Sequence, residues 1–215
     1  MIYLIGLITI FLVYLCGSIP TGYLVARLYG IDVMASGSGR TGGTNVLRSA
    51  GTTAAGLTVF GDVMKGLVPI FILHTLAPHV VPYWVVTLAA PAAVLGHNYS
   101  IFLGFRGGVG AGTTVGVLGG INFWIGLSAT ICALIALVIS RYASILSTTV
   151  AISGLFILTL FAVLGFGRVP YDYILSGILM TGLMLYALRE NYARILAGTE
   201  RKIGQKTENV VRISH

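Results

Sequence analysis

Six stretches of this chain, at about 2–26, 52–77, 82–96, 112–139, 144–166 and 171–188, are so apolar that lipid rather than water is their natural solvent. Backbone amides inside hydrocarbon must find partners within the chain, which leaves helices as the expected form for runs of this length. A crossing takes roughly 20 residues at a rise of about 1.5 Å each, so most of the runs suffice for one span apiece. Composition agrees: 56% of the 215 residues are hydrophobic and only 9% are charged, against about 25% charged in ordinary soluble domains. The expectation is an all-α, polytopic membrane bundle forming one domain over 1–215, with no separate soluble module.

Charge placement constrains the number of crossings. No basic residue precedes Arg27. A signal peptide needs a positive start, so the first run is expected to stay as a membrane helix with the N-terminus outside. Arg27, Arg40 and Arg48 then lie inside, the loop near Pro78, His79 and Pro82 outside, and Arg106 inside again. The run 112–139 is long and is interrupted by Gly119, Gly120 and Asn122. It is either one tilted helix, or a short helix to about 121 followed by a full one from 122. One crossing would leave Arg141 and the tail cations Arg189, Arg194, Arg201, Lys202, Lys206 and Arg212 outside; two crossings put them all inside and leave only Arg168 outside, beside Asp172. The positive-inside rule favours the second arrangement, which means seven helices and a cytoplasmic C-terminus. The loops 28–50 and 97–112 and the tail 189–215 then share one membrane face, and the two loops and the start of the tail (189–206) can converge.

The net charge of +7 resides in those loops and the tail. Membrane orientation and anionic ligands account for it better than nucleic acid does, and no RNA-binding aromatic motif or zinc-finger spacing is present. Cys16 and Cys132 sit in apolar runs without CxxC spacing and read as structural. No acidic cluster has metal-ligand spacing, so neither a metal nor a cofactor is expected.

Two glycine-rich segments carry the chemistry: Gly37-Ser38-Gly39-Arg40-Thr41-Gly42-Gly43-Thr44-Asn45 and Arg106-Gly107-Gly108-Val109-Gly110-Ala111-Gly112-Thr113. Bare backbone amides in such loops can face an anion, with neighbouring arginines as countercharge. Gly37-x-Gly39-x-x-Gly42 matches a dinucleotide fingerprint literally, but a membrane helix precedes it where a strand is required. What survives is a bend that lets backbone approach a ligand, with Ser38, Thr44 and Asn45 as donors and Arg48 as a planar fork for phosphate oxygens. The bland alternative is a plain interhelical turn.

Asp62 and Lys65 lie three apart inside the second run, on one helix face. Each isolated charge at mid-bilayer costs roughly 2.5–3.5 kcal/mol. They are a structural ion pair, a snorkelling lysine, or a pair that faces a ligand. His97 follows Gly96 at the end of the third run. It is open to three roles: general base, phosphate donor, or an interface residue without chemistry. His74 and His79 read as bland. No serine stands in a nucleophile elbow, so a reaction here is expected to be direct transfer between bound substrates.

Five segments in order resemble the bacterial acyl-phosphate:glycerol-3-phosphate acyltransferases, the PlsY family. They are Gly17-Ser18-Ile19-Pro20-Thr21-Gly22-Tyr23 through Asn45-Val46-Leu47-Arg48; Asp62-Val63-Met64-Lys65-Gly66; Gly96-His97-Asn98-Tyr99 with Phe105-Arg106-Gly107-Gly108; Arg141-Tyr142-Ala143-Ser144; and Arg189-Glu190-Asn191 with Gly198-Thr199-Glu200. The resemblance covers nearly the whole length. It implies a seven-helix enzyme of the bacterial cytoplasmic membrane, active in phospholipid biosynthesis. Such an enzyme moves a fatty acyl group from acyl phosphate to the 1-hydroxyl of glycerol 3-phosphate without metal, acyl-CoA or acyl carrier protein in that step. It further implies that Ser38, Arg48, Arg106 and Asn191 hold phosphate groups with help from Lys65 and Arg40. The amides of Gly107, Gly108 and Gly110 would stabilise developing charge, and His97 and Asn45 would order the catalytic site. Thr44, Asp62, Thr113, Ser144, Arg189 and Glu200 complete the substrate-binding set that it implies.

The family's loop lysine is replaced by Val109, its tail histidine by Leu188, its loop asparagine by Arg40, and an alanine by Gly43. Arg40 is expected to restore, from the opposite loop, the charge missing at Val109. Two further readings stay open: a changed acceptor or donor on the same fold, or a protein that binds or moves an anionic lipid or phosphate compound without turnover.

Overall fold

The computed structural model describes residues 1–77, 80–205 and 209–213; Pro78, His79 and Lys206 lie outside the described residues. The described residues form ten α-helices: α1 Ile2–Ser18, α2 Thr21–Leu28, α3 Gly43–Ala50, α4 Thr52–Leu76, α5 Tyr83–Asn98, α6 Ala111–Ile121, α7 Phe123–Ser140, α8 Ala143–Val163, α9 Tyr173–Ala187 and α10 Arg189–Leu196. Among the described residues β-pairing is limited to isolated bridges, Ile31 with Arg212 and Ser100 with Arg106. The stretches Ile2–Leu28, Thr52–Leu76, Phe123–Ser140 and Ala143–Val163 are long and apolar enough to cross a membrane. α5, α6 and α9 are shorter apolar helices, of 16, 11 and 15 residues.

Each apolar run is broken where local chemistry demands. The long run 112–139 becomes two helices at Asn122, whose backbone is extended (φ −158°, ψ 125°) and whose Oδ1 accepts the Trp124 amide at 3.0 Å, capping α7. α7 then folds back on α6: a Cβ placed on Gly126 would stand 2.7 Å from Gly119 N. The first run, expected as one helix, is divided at Ile19–Pro20. A residue before proline is driven out of the helical region, and Ile19 has ψ 116°. The amphipathic α2 starts beyond it.

Seven apolar helices (α1, α4, α5, α6, α7, α8, α9) alternate in direction. At one end, Ser100 Oγ donates to Ser18 O at 2.6 Å, tying the ends of α1 and α5. At the other end Tyr3 stacks on Trp84 at 6.0 Å, and His74 meets Tyr173. Consequently the polar loops and the start of the tail gather at the first end.

Packing between α4 and α6 forms the spine of the bundle. Gly112, Gly116 and Gly120 recur every fourth residue on α6, so the α4 backbone approaches closely. A Cβ on Gly116 would collide with Val63 O, and one on Gly120 would stand 2.8 Å from Leu67 O. Without a hydrophobic driving force between helices in lipid, such close van der Waals contact is what holds them. The buried interior is filled by Ile70, Val85, Val86, Leu118, Ile125, Leu158, Tyr173, Met180 and Met184, while Leu7, Phe60, Val138 and Phe156 face outward at 61–79% exposure. Large apolar side chains on the outside suit a lipid solvent and would be a liability in water.

Candidate functional site

A cavity of about 400 Å³ opens where the polar segments meet, and three helices start at its wall. Gly42, Gly43 and Thr44 contribute from the start of α3, Gly110, Ala111 and Gly112 from α6, and Ala143 and Ser144 from α8. First-turn amides have no intrahelical acceptor and carry the positive end of the helix dipole, so three such ends make the wall attractive to anions. Two glycines are sterically required here. Gly110 turns the chain into α6 at φ 95°, and a Cβ on it would stand 2.8 Å from Asn98 Oδ1. A Cβ on Gly108 would collide with His97 Nε2, so that ring nitrogen lies directly against the glycine backbone.

Asp62 is the buried centre of the apolar side. Its Oδ1 takes the Lys65 ammonium at 2.8 Å and the Thr21 hydroxyl, and His97 Nδ1 stands 3.4 Å away. Asp62 and His97 line the cavity. Lys65 does not: its ammonium turns back and donates to Ile19 O at 2.9 Å, holding the break after α1. An ion pair this deep is kept by saturating its hydrogen bonds.

Asn45 organises the first loop from within. Its Nδ2 donates toward Val33 O, Ser36 O and Arg40 O at 2.9–3.0 Å, and its Oδ1 accepts the Ser38 amide at 3.1 Å. The buried amide thus holds the loop that presents Ser38, Arg40 and Thr44 to the cavity. On the opposite side the tail is stitched by charge. Arg40 donates to Asn191 Oδ1 and Ala187 O, each at 2.9 Å, and pairs with Glu190 at 3.3 Å. Asn191 donates to Glu200 Oε1 at 2.8 Å, and Arg194 Nε donates to Glu200 Oε2 at 2.7 Å. Arg48 reaches the tail backbone, donating to Arg201 O at 2.9 Å.

Burial alone would raise the Glu200 carboxyl, but hydrogen bonds from Asn191 and Arg194 outweigh it and hold the group below the usual carboxylate range. Burial lowers the Arg40 and Arg48 guanidinium groups from their ordinary value, against the opposing pull of Glu190 on Arg40 and Glu200 on Arg48. A guanidinium starts so high that both stay cationic at neutral pH.

Of the residues expected from sequence, Ser38, Arg40, Thr44, Asn45, Arg48, Asp62, His97, Gly108, Gly110, Ser144, Asn191 and Glu200 line one cavity. Five stand off it. Lys65 lies behind Asp62. Thr113 is fully buried at the α4 contact, where a Cβ on Gly66 would collide with its carbonyl. Gly107 packs under the His97 carbonyl. Arg106 is exposed, its guanidinium 3.9 Å from where a Gly39 Cβ would be. Arg189 folds over the Tyr186 ring at 4.3 Å and donates to Tyr186 O.

Two charged cavity residues were missing from the sequence-based set, Arg194 and Arg201. The i, i+3 spacing of Asn191 and Arg194 was the available signal, since it places both on one face of α10. The departures Val109 and Leu188 also line the cavity, Leu188 at 1% exposure. Beyond the polar wall the cavity continues as an apolar arm between α6, α7 and α8, walled by Val115, Ala133, Leu134, Leu146 and Val150. One space therefore joins an anion-binding wall to hydrocarbon.

The chain is similar to known proteins in sequence and in fold. The sequence model of the family described as glycerol-3-phosphate acyltransferase matches residues 7–198. A glycerol-3-phosphate acyltransferase of Thioalkalivibrio sulfidiphilus is 41% identical over 91% of this chain and 93% of its own length. One of Thermus thermophilus is 39% identical over 93% and 96%. The crystal structure of PlsY (YgiH), an integral membrane glycerol 3-phosphate acyltransferase, matches in its glycerol 3-phosphate form with a TM-score of 0.82 at 35% identity, covering 93% of this chain and 96% of that one. Its lysophosphatidic acid form matches with a TM-score of 0.80. With an all-helical membrane fold, a cavity that joins three helix N-termini to an apolar arm, and a match over most of its length, this chain belongs to the glycerol-3-phosphate acyltransferase family.

Proposed function

We propose that this protein transfers a fatty acyl group from acyl phosphate to the 1-hydroxyl of glycerol 3-phosphate, releasing lysophosphatidate and inorganic phosphate. The observation that carries this reading is the single cavity with an anion-attracting polar wall at one end and an apolar arm between α6, α7 and α8 at the other. An acyl phosphate has that same polarity. Its chain enters the arm from the bilayer, and its phosphoryl group meets the starts of α6 and α8. The soluble acceptor then occupies the remaining polar space beside Ser38, Thr44, Arg48 and Asn191, with Arg194 and Arg201 adding charge.

In the reaction the acceptor oxygen bonds to the acyl carbon and the carbon–oxygen bond to phosphate breaks. Phosphate leaves with the bonding pair, and the hydroxyl proton goes to His97. Asp62 faces Nδ1 of that ring, so Nε2, beside Gly108, is the nitrogen placed to act as base. Asn45 acts as a positioning residue through the Ser38 amide. The scheme balances without a metal or redox cofactor. Arg40 serves both the cavity and the tail, and supplies a cation on the side opposite Val109.

The cavity end is assigned to the cytoplasm and the N-terminus to the outside of a bacterial inner membrane, with seven crossings over a single domain. This rests on the gathering of the basic loops and tail at that end. Accessibility labelling of single cysteines at 195 and 79 in intact cells tests the assignment; reaction of both from one side overturns it.

The activity itself is tested with purified protein in detergent, given acyl phosphate and glycerol 3-phosphate while phosphate and lysophosphatidate are followed together. Equal release of both supports the reading. Consumption of acyl phosphate only with another acceptor replaces the acceptor, and tight binding without turnover overturns the enzymatic reading for this chain.

A further inference from the structure

The C-terminal segment lies beyond residues 7–198 that match the family, yet it is folded onto the first loop. Asp32 N donates to Val211 O and Ile213 N donates to Gly30 O, each at 2.9 Å, on either side of the antiparallel bridge between Ile31 and Arg212. A third bond leaves this ribbon: Val211 N donates to Ser36 Oγ at 2.9 Å. Ser36 is 1% exposed, and its hydroxyl donates in turn to Asp32 O at 2.6 Å. From Ser36 the connection continues to the cavity. Its carbonyl accepts from Asn45 Nδ2 at 3.0 Å, Asn45 Oδ1 accepts the Ser38 amide at 3.1 Å, and Ser38 lines the wall.

The loop needs such a tie. Between α2 and α3 it has no helix of its own, and Gly30, Gly37 and Gly39 all stand at positive φ, 68°, 59° and 67°. Glycines give up more conformational freedom on ordering than other residues, so a loop hinged on three of them is weakly held by local forces. Asn45 ties it from the α3 side. The C-terminal segment ties it from the other side, at Gly30, Asp32 and Ser36.

We propose that residues 209–213 are a positioning device for the acceptor-binding loop, acting through the Ser36 hydroxyl. This rests on the reading of the first loop as the acceptor's phosphate site. The segment touches no substrate. It holds Ser38 and the start of α3 where they meet phosphoryl oxygens, so its loss acts on acceptor affinity and leaves the acyl-phosphate arm, between α6, α7 and α8, undisturbed.

Three variants of the full enzyme test this: Val211→Pro, which removes the N–H that reaches Ser36 and keeps the carbonyl that accepts from Asp32; Ser36→Ala, which removes the acceptor of that N–H together with the donor to Asp32 O; and deletion of residues 206–215. Val211→Pro is expected to raise KM for glycerol 3-phosphate about three- to tenfold, the effect of one hydrogen bond, and Ser36→Ala, which also loses the bond to Asp32 O, at least as much. kcat and KM for acyl phosphate should stay within about twofold, since the link leads to the first loop and not to the apolar arm. The double variant should be no worse than the more affected single one, because both break the same link. Hydrogen exchange at residues 36–45 is read in parallel and should quicken in Val211→Pro. An unchanged KM with unchanged exchange overturns the proposal, as does an equal loss in every kinetic constant. If the unaltered enzyme makes no lysophosphatidate, the functional reading fails, and the exchange rates alone then decide whether the segment holds the loop.

Discussion

His97 Nδ1 stands 3.4 Å from Asp62 Oδ1, joining the end of α5 to the middle of α4 at the point where both helices border the cavity. The same oxygen already receives Lys65 and Thr21. One carboxylate therefore stands beside the histidine, neutralises a buried ammonium and fastens the start of α2.

Those roles separate by mutation. His97→Gln is expected to lower kcat by about 10²–10⁴-fold with little change in stability, the range of a lost general base. Asp62→Asn should lower kcat as well and also destabilise the fold by about 3–5 kcal/mol, because Lys65 is left charged and buried. Steady-state kinetics and thermal unfolding in detergent distinguish the two. A His97→Gln enzyme with unaltered kcat would remove the ring from the proton transfer.

Arg40 and Val109 face one cavity from opposite loops. Arg40→Asn is expected to raise KM for glycerol 3-phosphate by about one to two decades, the equivalent of one charge-assisted hydrogen bond of about 1.5–3 kcal/mol. Val109→Lys in that background should recover part of the loss. The measurement is the full set of kinetic constants for the two single variants and the pair; additive, uncoupled effects would refute the exchange of charge.

Glu200 links the tail to the cavity through Asn191 and Arg194, and those bonds keep its carboxyl below the usual range. The sign follows from linkage. A carboxylate depressed in the folded state contributes stability above its unfolded pKa, and loses that contribution as pH falls through the folded value. Docking of α10 should therefore be unaffected by pH near neutrality and weaken only below the ordinary carboxylate range. Hydrogen exchange of residues 189–201 against pH reads this, and Glu200→Gln should loosen the segment already at pH 7.

The glycine seam between α4 and α6 gives a paired stability test. Gly116→Ala inserts a methyl group against Val63 O and within 2.9 Å of Leu67 N, whereas a Cβ on Gly182 of α9 meets nothing within 4 Å. The first change should cost about 1–3 kcal/mol by overpacking. The second should be neutral or stabilising by up to about 1 kcal/mol, since alanine is the better helix former. Unfolding midpoints in one detergent compare them directly.

Ala133 is buried on the wall of the apolar arm. Ala133→Phe should shorten the longest acyl phosphate accepted by several carbons, at about 0.8 kcal/mol for each methylene no longer buried. Competition between short- and long-chain acyl phosphates reads the shift; an unchanged preference would place the chain elsewhere.

Much of this was legible in the residues themselves. Hydropathy set the helical runs, because a backbone in hydrocarbon has no partner but its own helix. Asn122 divided the long run by capping α7, and the count of basic loops on each side predicted that the polar segments would share an end. Glycine-rich stretches marked loops that line the cavity, since a missing side chain is a local property that needs no fold to be recognised.

What the residues could not state was direction across space. Lys65 was open to a ligand role or a structural ion pair, and its ammonium goes to Asp62 and Ile19 O; Asn45 lines the cavity and at the same time binds its own loop. Arg194 and Arg201 reach the cavity only because α10 and the segment after it are stitched down by Arg40, Arg48, Asn191 and Glu200. His97 meets Asp62 through the packing of α5 beside α4, and the segment 209–213 finds Gly30 through bonds between distant parts of the chain. Periodicity reports which face of a helix is apolar. The partner of a polar atom depends on helix packing and on satisfying every buried donor at once, and those conditions exist only in the folded molecule.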